Sequence, residues 1–209
     1  MCGSNSYILM EARRPNIGII ILAAGNSSRL GEPKQLLVFQ NKTLLRHMAE
    51  VAVEIAGEKV IVVTGSSAAL IENEVSGLPC QTVFNAHWQQ GMASSIVKGI
   101  IALNESHSGI AGCMIAVSDQ PFVTAEIFQN LVAEADSGAA IVASSYGDTL
   151  GTPAFFSKSY FDQLLQLKGS EGAKKLILAH QANVRTVPFP LGTVDIDTQE
   201  DYKNLLKNS

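Results

Sequence analysis

The segment IILAAGNSSRLGEPKQLL, Ile20–Leu37, passes from an apolar run into small residues, then sets an arginine and a lysine five positions apart around a glycine and a proline. Its apolar part belongs to IGIIILA, Ile17–Ala23, short and rich in β-branched residues, and reads as a strand. Gly25 and Gly31, with Asn26, Ser27 and Ser28 between them, let the backbone approach a ligand and turn several N–H groups into one concavity, a nest suited to phosphate. Arg29 adds a bidentate grip on phosphate and Lys34 a mobile point charge. A Walker A loop is excluded, because five residues separate the glycines and Lys34 comes three after the second; a dinucleotide fingerprint, GxGxxG, is absent as well.

Outward from this loop the pattern repeats. Val60–Thr64, Gln81–Phe84, Met114–Val117 and Ala140–Ser144 read as further strands. Between them lie helical patterns: Thr43 caps a helix with Leu44, Leu45, Met48, Val51, Ala52 and Ile55 inward, and Met92–Leu103, Ala125–Ala135, Ser157–Leu167 and Gly172–Ala179 follow. Apolar strands alternating with helices imply an α/β domain, a mostly parallel sheet covered on both faces, with ligands beyond the carboxyl ends of the strands. The stretch YGDTLGTPAFF, Tyr146–Phe156, loosens the pattern and is expected as an excursion over the sheet edge.

Composition fixes the class. A chain of 209 residues, 46% hydrophobic and 16% charged, suits one globular domain with a continuous core. The net charge of −4 gives no general attraction to nucleic acid or to anionic lipid, so an anionic ligand must be caught by a local cluster of donors. Cys2, Cys80 and Cys113 are scattered and form no CxxC, as for thiols in a reducing cytoplasm. The first 16 residues, MCGSNSYILMEARRPN, hold a four-residue apolar run, too short for a signal peptide. They are expected as a flexible extension ahead of a domain spanning residues 17–209. No run of about 18 apolar residues suggests a membrane helix.

Four more elements carry chemistry. In IAVSDQPFV, Ile115–Val123, a strand ends in Asp119, one carboxylate at the sheet's edge; Mg²⁺ prefers few carboxylates plus phosphate oxygens and water. In NAHWQQGMASSIVKGI, Asn85–Ile100, Ser94 and Ser95 fall in the first turn of a helix, whose free N–H groups favour an anion; His87 reads as a loop residue and Trp88 as packing. In TVDIDTQEDYKNLL, Thr193–Leu206, Asp195 and Asp197 flank Ile196 and share a direction if extended, while Thr198 opens a helix with Asp201 as an acidic capping box. The last is GTPAFFSKSYFDQLLQLKGSEGAKKLI, Gly151–Ile177.

LAAGNSSRLGEPKQLL resembles the signature loop of the MobA-like nucleotidyltransferases, LAAG or LAGG followed by R-hydrophobic-G and then K. Asp119-Gln120-Pro121 resembles that family's D-x-P element in the form of its molybdenum-cofactor cytidylyltransferase branch. Asn85, Trp88, Gly91, Met92, Ser94 and Ser95 match N-x-x-W-x-x-G-M-x-S-S; Gly151 and Pro153 match G-x-P; and Asp195-Ile196-Asp197-Thr198 matches the returning acidic segment. The resemblance implies a single-domain three-layer α/β/α nucleotidyltransferase fold of Rossmann-like type, with a mostly parallel sheet and one antiparallel strand.

It further implies transfer of a nucleotidyl group, CMP from CTP favoured, to a molybdopterin-type acceptor, with a molybdenum hydroxylase as recipient of the product. GTP or another NTP, a sugar-phosphate acceptor, or a non-catalytic nucleotide-binding accessory role are the alternatives. Arg29, Lys34 and Asp119 are then catalytic. Leu22, Ala23, Ala24, Gly25, Ser27, Ser28, Gly31, Thr64, Gly65, Asn85, Gly91, Ser94 and Ser95 bind the nucleotide; Gln120, Pro121, Gly151 and Pro153 border the acceptor; and Asp119 with Asp195 or Asp197 holds Mg²⁺. Ser170 stands where the family usually has Asp, and Lys174 where it has Arg.

Overall fold

The computed structural model describes residues 16–27 and 30–207. Strand β1 (Ile17–Leu22) is buried from Ile17 to Ile21, and a strand with apolar side chains on both faces must be covered on both. Helices α1 (Leu44–Ala56) and α4 (Ala125–Asp136) cover the face that carries Ile19 and Ile21; α3 (Met92–Ser106), α5 (Phe161–Leu165) and α6 (Lys174–Ala179) cover the face that carries Ile20. Helix α3 lies close because glycines open the way: a Cβ on Gly99 would meet Ile20 Cγ2 at 2.5 Å, and one on Gly18 would meet Leu103 Cδ1 at 2.4 Å. Thr43 caps α1 as its position predicts, its side chain accepting from Arg46 N at 3.0 Å.

With β4 (Val60–Thr64), β5 (Gln81–Phe84), β6 (Gly112–Val117), β7 (Ile141–Tyr146), β8 (Thr149–Ser157) and β9 (Val184–Pro188) the sheet has seven strands, ordered β5-β4-β1-β6-β8-β7-β9. All neighbours are parallel except β8, which is antiparallel to both β6 and β7. Tyr146–Phe156 therefore does not lie over the sheet edge. After a tight turn at Gly147 the chain reverses and inserts as β8 between β6 and β7, and Ala154, Phe155 and Phe156 become core. The expected helix over 157–167 shrinks to a 3-10 turn, Lys158–Tyr160, and the short α5, because Ser157 still pairs with Gly112 in the sheet. Short elements escape the periodicity: a hairpin of β2 (Val38–Phe39) and β3 (Lys42–Thr43), α2 (Ala68–Glu74), and the edge strand β9.

A small third core matters most for the site. Leu30, Leu37, Phe39, Leu44, Ile196 and Leu205 pack together, tying the signature loop, the hairpin and α7 (Gln199–Lys207) into one unit. Helix α7 starts from the expected capping box: Asp201 Oδ2 accepts from Thr198 N at 2.8 Å, and Thr198 Oγ1 accepts from Asp201 N at 3.2 Å. The extension expected over residues 1–16 falls, apart from Asn16, outside the described residues. Asn16 itself is tied down, its side-chain amide donating to Gly109 O at 2.8 Å and its carbonyl accepting from Ala111 N at 2.9 Å.

Candidate active site

Strands β1, β4 and β6 end level, with Leu22 opposite Val63 on one side and Val117 on the other. Ala23, Thr64 and Ser118 thus leave the sheet together at its carboxyl edge. From Leu22 to Gly25 every carbonyl is occupied. Leu22 O accepts from Ser118 Oγ at 3.1 Å, Ala23 O from Gln35 Nε2 at 3.3 Å, and Ala24 O from Ser66 N at 3.2 Å. Gly25 O accepts from both Gln35 Nε2, at 3.1 Å, and Ser66 Oγ, at 3.0 Å. Gly65 makes this approach possible, since a Cβ there would lie 2.5 Å from Ala24 O.

The loop then folds back on Lys34. Ser27, at φ 48°, accepts from Lys34 N through its hydroxyl at 2.9 Å, and Gly31 takes φ 79°, a backbone state that only glycine adopts freely. Ser28 and Arg29, both expected at the triphosphate, lie outside the described residues.

A cleft of about 530 Å³ opens over these strand ends. Leu22, Ala24 and Gly25 line it from the loop, with Gln35 beside them, Lys34 and Asp119 at one side and Trp88, Gly91 and Ser95 from the start of α3. Lys34 Nζ lies 2.5 Å from Asp119 Oδ2 and 3.0 Å from Asp197 Oδ1. Burial pulls the Lys34 ammonium down, but the charges and hydrogen bonds of Asp119 and Asp197 outweigh it and hold its pKa above the ordinary lysine value. The other oxygen of Asp119, Oδ1, is buried with no hydrogen-bond partner among the described residues. Asp195 is pushed above the usual carboxylate range, first by burial and then by the charges of Asp119 and Asp197. Tyr146 is raised by burial and by the Asp195 charge, partly offset by a hydrogen bond to Thr152.

The expected site residues divide. Leu22, Ala24, Gly25, Lys34, Gly91, Ser95 and Asp119 line the cleft, and Asp197 reaches its edge through Lys34. Ile196, fully buried, anchors the segment so that Asp195 and Asp197 stay at the surface on either side of it. Ala23 and Thr64, expected at the nucleotide, are buried at the strand ends.

Asn85 and Ser94, expected at the nucleotide, are hydrogen-bonded to each other. The Asn85 amide is buried and donates to Ser94 Oγ at 2.8 Å and Ser95 Oγ at 3.0 Å, and the Ser94 hydroxyl turns back to the carbonyls of His87 and Gly91. Both residues line a separate groove instead of the cleft. Gln120, Pro121, Gly151 and Pro153, expected to border the acceptor, are buried and are not among the residues that line the cleft. Gln120 Nε2 donates to Thr152 O at 3.1 Å and Gly192 O at 3.4 Å, and Pro153 O accepts from Ser144 Oγ at 2.7 Å. At Gly151 a Cβ would overlap the Tyr146 hydroxyl.

Four residues go unread in the sequence: Gln35, Ser66, Ser118 and Tyr146. Gln35 and Ser66 sit one or two places beyond the expected Lys34 and Thr64–Gly65, where a polar residue after a motif was a usable signal. Trp88 lines the cleft rather than only packing. Tyr146 comes to the site only because β8 doubles back, which no local pattern announces.

Over residues 19–184 the chain matches the model of the MobA-like NTP transferase domain. The chain belongs to that family. It is an NTP transferase, and the loop, the lysine and the carboxylates described above occupy the strand-end position at which open α/β sheets bind ligands. Among similar proteins are Purine catabolism protein PucB of Bacillus subtilis, 28% identical over 91% of this chain and 96% of the relative. Molybdenum cofactor cytidylyltransferase of Escherichia coli is 25% identical over 89% and 93%. The crystal structure of Rv0371C from Mycobacterium tuberculosis in complex with manganese superposes with a TM-score of 0.73 at 27% identity, covering 92% of this chain and 99% of that one. Among the described residues no helix is long and apolar enough to cross a membrane.

Proposed function

We propose that this member of the family transfers CMP from CTP to the phosphate of a molybdopterin-type acceptor, releasing pyrophosphate. An acceptor phosphate oxygen forms a bond to the α-phosphorus while the bond from that phosphorus to the oxygen bridging to the β-phosphate breaks. The acceptor phosphate is already an anion near neutral pH, so no proton has to be removed. Catalysis is then positioning and charge neutralisation. The signature loop holds base and ribose, and Lys34, with Arg29 from the same loop, meets the charge that grows on the departing pyrophosphate.

The observation that carries this reading is Asp119, which lines the cleft with one oxygen on Lys34 and the other buried and without a hydrogen-bond partner among the described residues. A buried carboxylate oxygen without a donor is costly unless a cation completes it, and Asp119 with Asp195 or Asp197 suits Mg²⁺. Mg²⁺ needs few protein carboxylates and completes its shell with phosphate oxygens and water. Such an ion supplies charge neutralisation on the phosphates. The choice of CTP and molybdopterin is supported by the DQPF form around Asp119 and by the full-length similarity to the Escherichia coli cytidylyltransferase.

The test is pyrophosphate release with CTP, GTP, ATP and UTP in the presence of molybdopterin and Mg²⁺. Release with CTP at a rate well above the other three is expected. Release with CTP only when a different phosphorylated acceptor is supplied overturns the acceptor, and release with another NTP alone overturns the base.

A further inference from the structure

Gln120 directly follows Asp119 and is 5% exposed, yet it lines no part of the cleft. Its Nε2 donates to Thr152 O at 3.1 Å and to Gly192 O at 3.4 Å, so one side chain at the end of β6 grips two segments that lie 32 and 72 residues further along the chain. Two carbonyls call for the donor end of the amide, which leaves Oε1 buried without a hydrogen-bond partner among the described residues. That arrangement costs stability. A buried polar residue kept against such a cost is expected where function requires it.

What Gln120 positions follows from the chain around Gly192. Past β9, Phe189 N donates to Ser145 O at 2.8 Å, and the 3-10 turn Pro190–Thr193 then sets Gly192 against the rings of Phe189 and Tyr146, where a Cβ would meet a carbon of each at 2.6 Å. Four residues later Ile196 is fully buried in the third core, with Leu30 and Leu205. Only Thr193, Val194 and Asp195 stand between these two anchors. Gln120 holds the first anchor, and the second does not depend on it. Asp197, past the second anchor, is held by Lys34 at 3.0 Å, while Asp195, between the anchors, lies within reach of the Asp119 charge.

We propose that Gln120 is a positioning residue: by tying Gly192 to the residue next to Asp119, it holds Asp195 where that carboxylate and Asp119 take one divalent cation together. Its loss frees one end of a short span whose other end stays anchored by Ile196, so Asp195 shifts while the fold is kept. A group that orients a metal ligand without touching the metal acts on affinity in this way. The inference rests on the metal role given to Asp119 above, and goes beyond it by assigning the second carboxylate to Asp195 and its placement to Gln120.

The experiment titrates Mn²⁺ into nucleotide-free protein, followed by electron paramagnetic resonance, for the wild type, Gln120→Met, Asp195→Ala and the double variant, with circular dichroism to establish folding. Methionine keeps the length of the side chain and removes both bonds. Gln120→Met should weaken Mn²⁺ binding by about tenfold, as removal of a group that orients a metal ligand does, and Asp195→Ala by at least as much. The double variant should bind no more weakly than Asp195→Ala alone, because a residue that acts only through Asp195 then has nothing left to position. Losses that multiply in the double variant overturn the role, since Gln120 would then support the site at large; so does wild-type Mn²⁺ affinity in a folded Gln120→Met or in Asp195→Ala. If Gln120→Met does not fold, Gly192→Ala takes its place: its Cβ pushes the same turn away from Phe189 and Tyr146, with the same non-additive loss expected and a multiplying loss overturning the role. In each of these failures, pyrophosphate release by the wild type with Mg²⁺ leaves the proposed function standing. A wild type that binds no Mn²⁺ and releases no pyrophosphate with any NTP overturns both.

Discussion

Replacing Lys34 by methionine should change metal binding and catalysis in opposite directions. In the free enzyme Lys34 acts as an internal cation for Asp119 and Asp197, at 2.5 and 3.0 Å. The side chains of Lys34 and Asp119 are 22% and 14% exposed, so their attraction is little screened, whereas Asp197 at 48% is close to a surface partner. An ion pair at about 4 Å in surroundings of effective dielectric near 20 gains ~4 kcal/mol of Coulomb energy, and an exposed pair contributes at most ~1 kcal/mol. A divalent cation arriving at Asp119 competes with that pair. If a third of the Coulomb gain is forfeited on its arrival, the lysine weakens binding by about 1.4 kcal/mol, or tenfold.

Gly, Ala and Met at position 34 remove the competitor, and Met keeps the volume. Mn²⁺ titrated into nucleotide-free protein and followed by electron paramagnetic resonance should bind Lys34→Met about tenfold more tightly than wild type. The same variant should lose transfer activity by ~10² or more, as for loss of a transition-state phosphate contact. Circular dichroism establishes that the variant is folded. Unchanged or weaker Mn²⁺ binding in a folded Lys34→Met would refute the reasoning, because the lysine would then not hold the carboxylates that the metal needs.

Ser27→Ala removes the acceptor for Lys34 N; nucleotide Kd should rise by about fivefold, since a single such bond is worth about 1 kcal/mol, with little change in melting temperature. Gly65→Ala drives a Cβ into Ala24 O, and backbone gives way poorly; a loss of about 1–3 kcal/mol should lower the midpoint of thermal unfolding by roughly 2–4 °C per kcal/mol, together with nucleotide binding. Asp195 has a folded pKa above its unfolded value, so its charged form is disfavoured in the folded state: it detracts from stability above the folded pKa, and that loss is relieved as pH falls through it. Asp195→Asn should raise the melting temperature at pH 7 and by less at pH 4, and an equal gain at both values contradicts the electrostatic cause.

The sheet was legible because its strands are buried on both faces: Ile17–Leu22 and Val60–Thr64 are apolar at nearly every position, a pattern that few other arrangements bury. Strand β8 was not legible, since Thr149–Ser157 carries Gly151 and Pro153, which read as loop residues; the sheet accepts them where the pairing shifts, between Ala143 and Ser144. In the site, Asp119 was readable from its place just past β6, and Lys34 from the glycine-rich loop that follows β1. Tyr146 was not, because only the reversal of the chain brings it close, and the role of Gln35, polar and next to the motif, shows only through its bonds to Ala23 O and Gly25 O, 12 and 10 residues earlier. Around Asn85 and Ser94 the sequence shows a polar cluster at a helix start but not its internal bonding: the Asn85 amide donates to Ser94 Oγ, and that hydroxyl donates to the carbonyls of His87 and Gly91.

The most direct measurement of the central claim follows the fate of each phosphorus. With molybdopterin and Mg²⁺, CTP labelled at the α-phosphorus should pass its label to the acceptor, while CTP labelled at the γ-phosphorus should yield labelled pyrophosphate. Label from the γ-position appearing as single phosphate, with the α-label retained on a free nucleotide, would make the enzyme a phosphohydrolase and contradict nucleotidyl transfer.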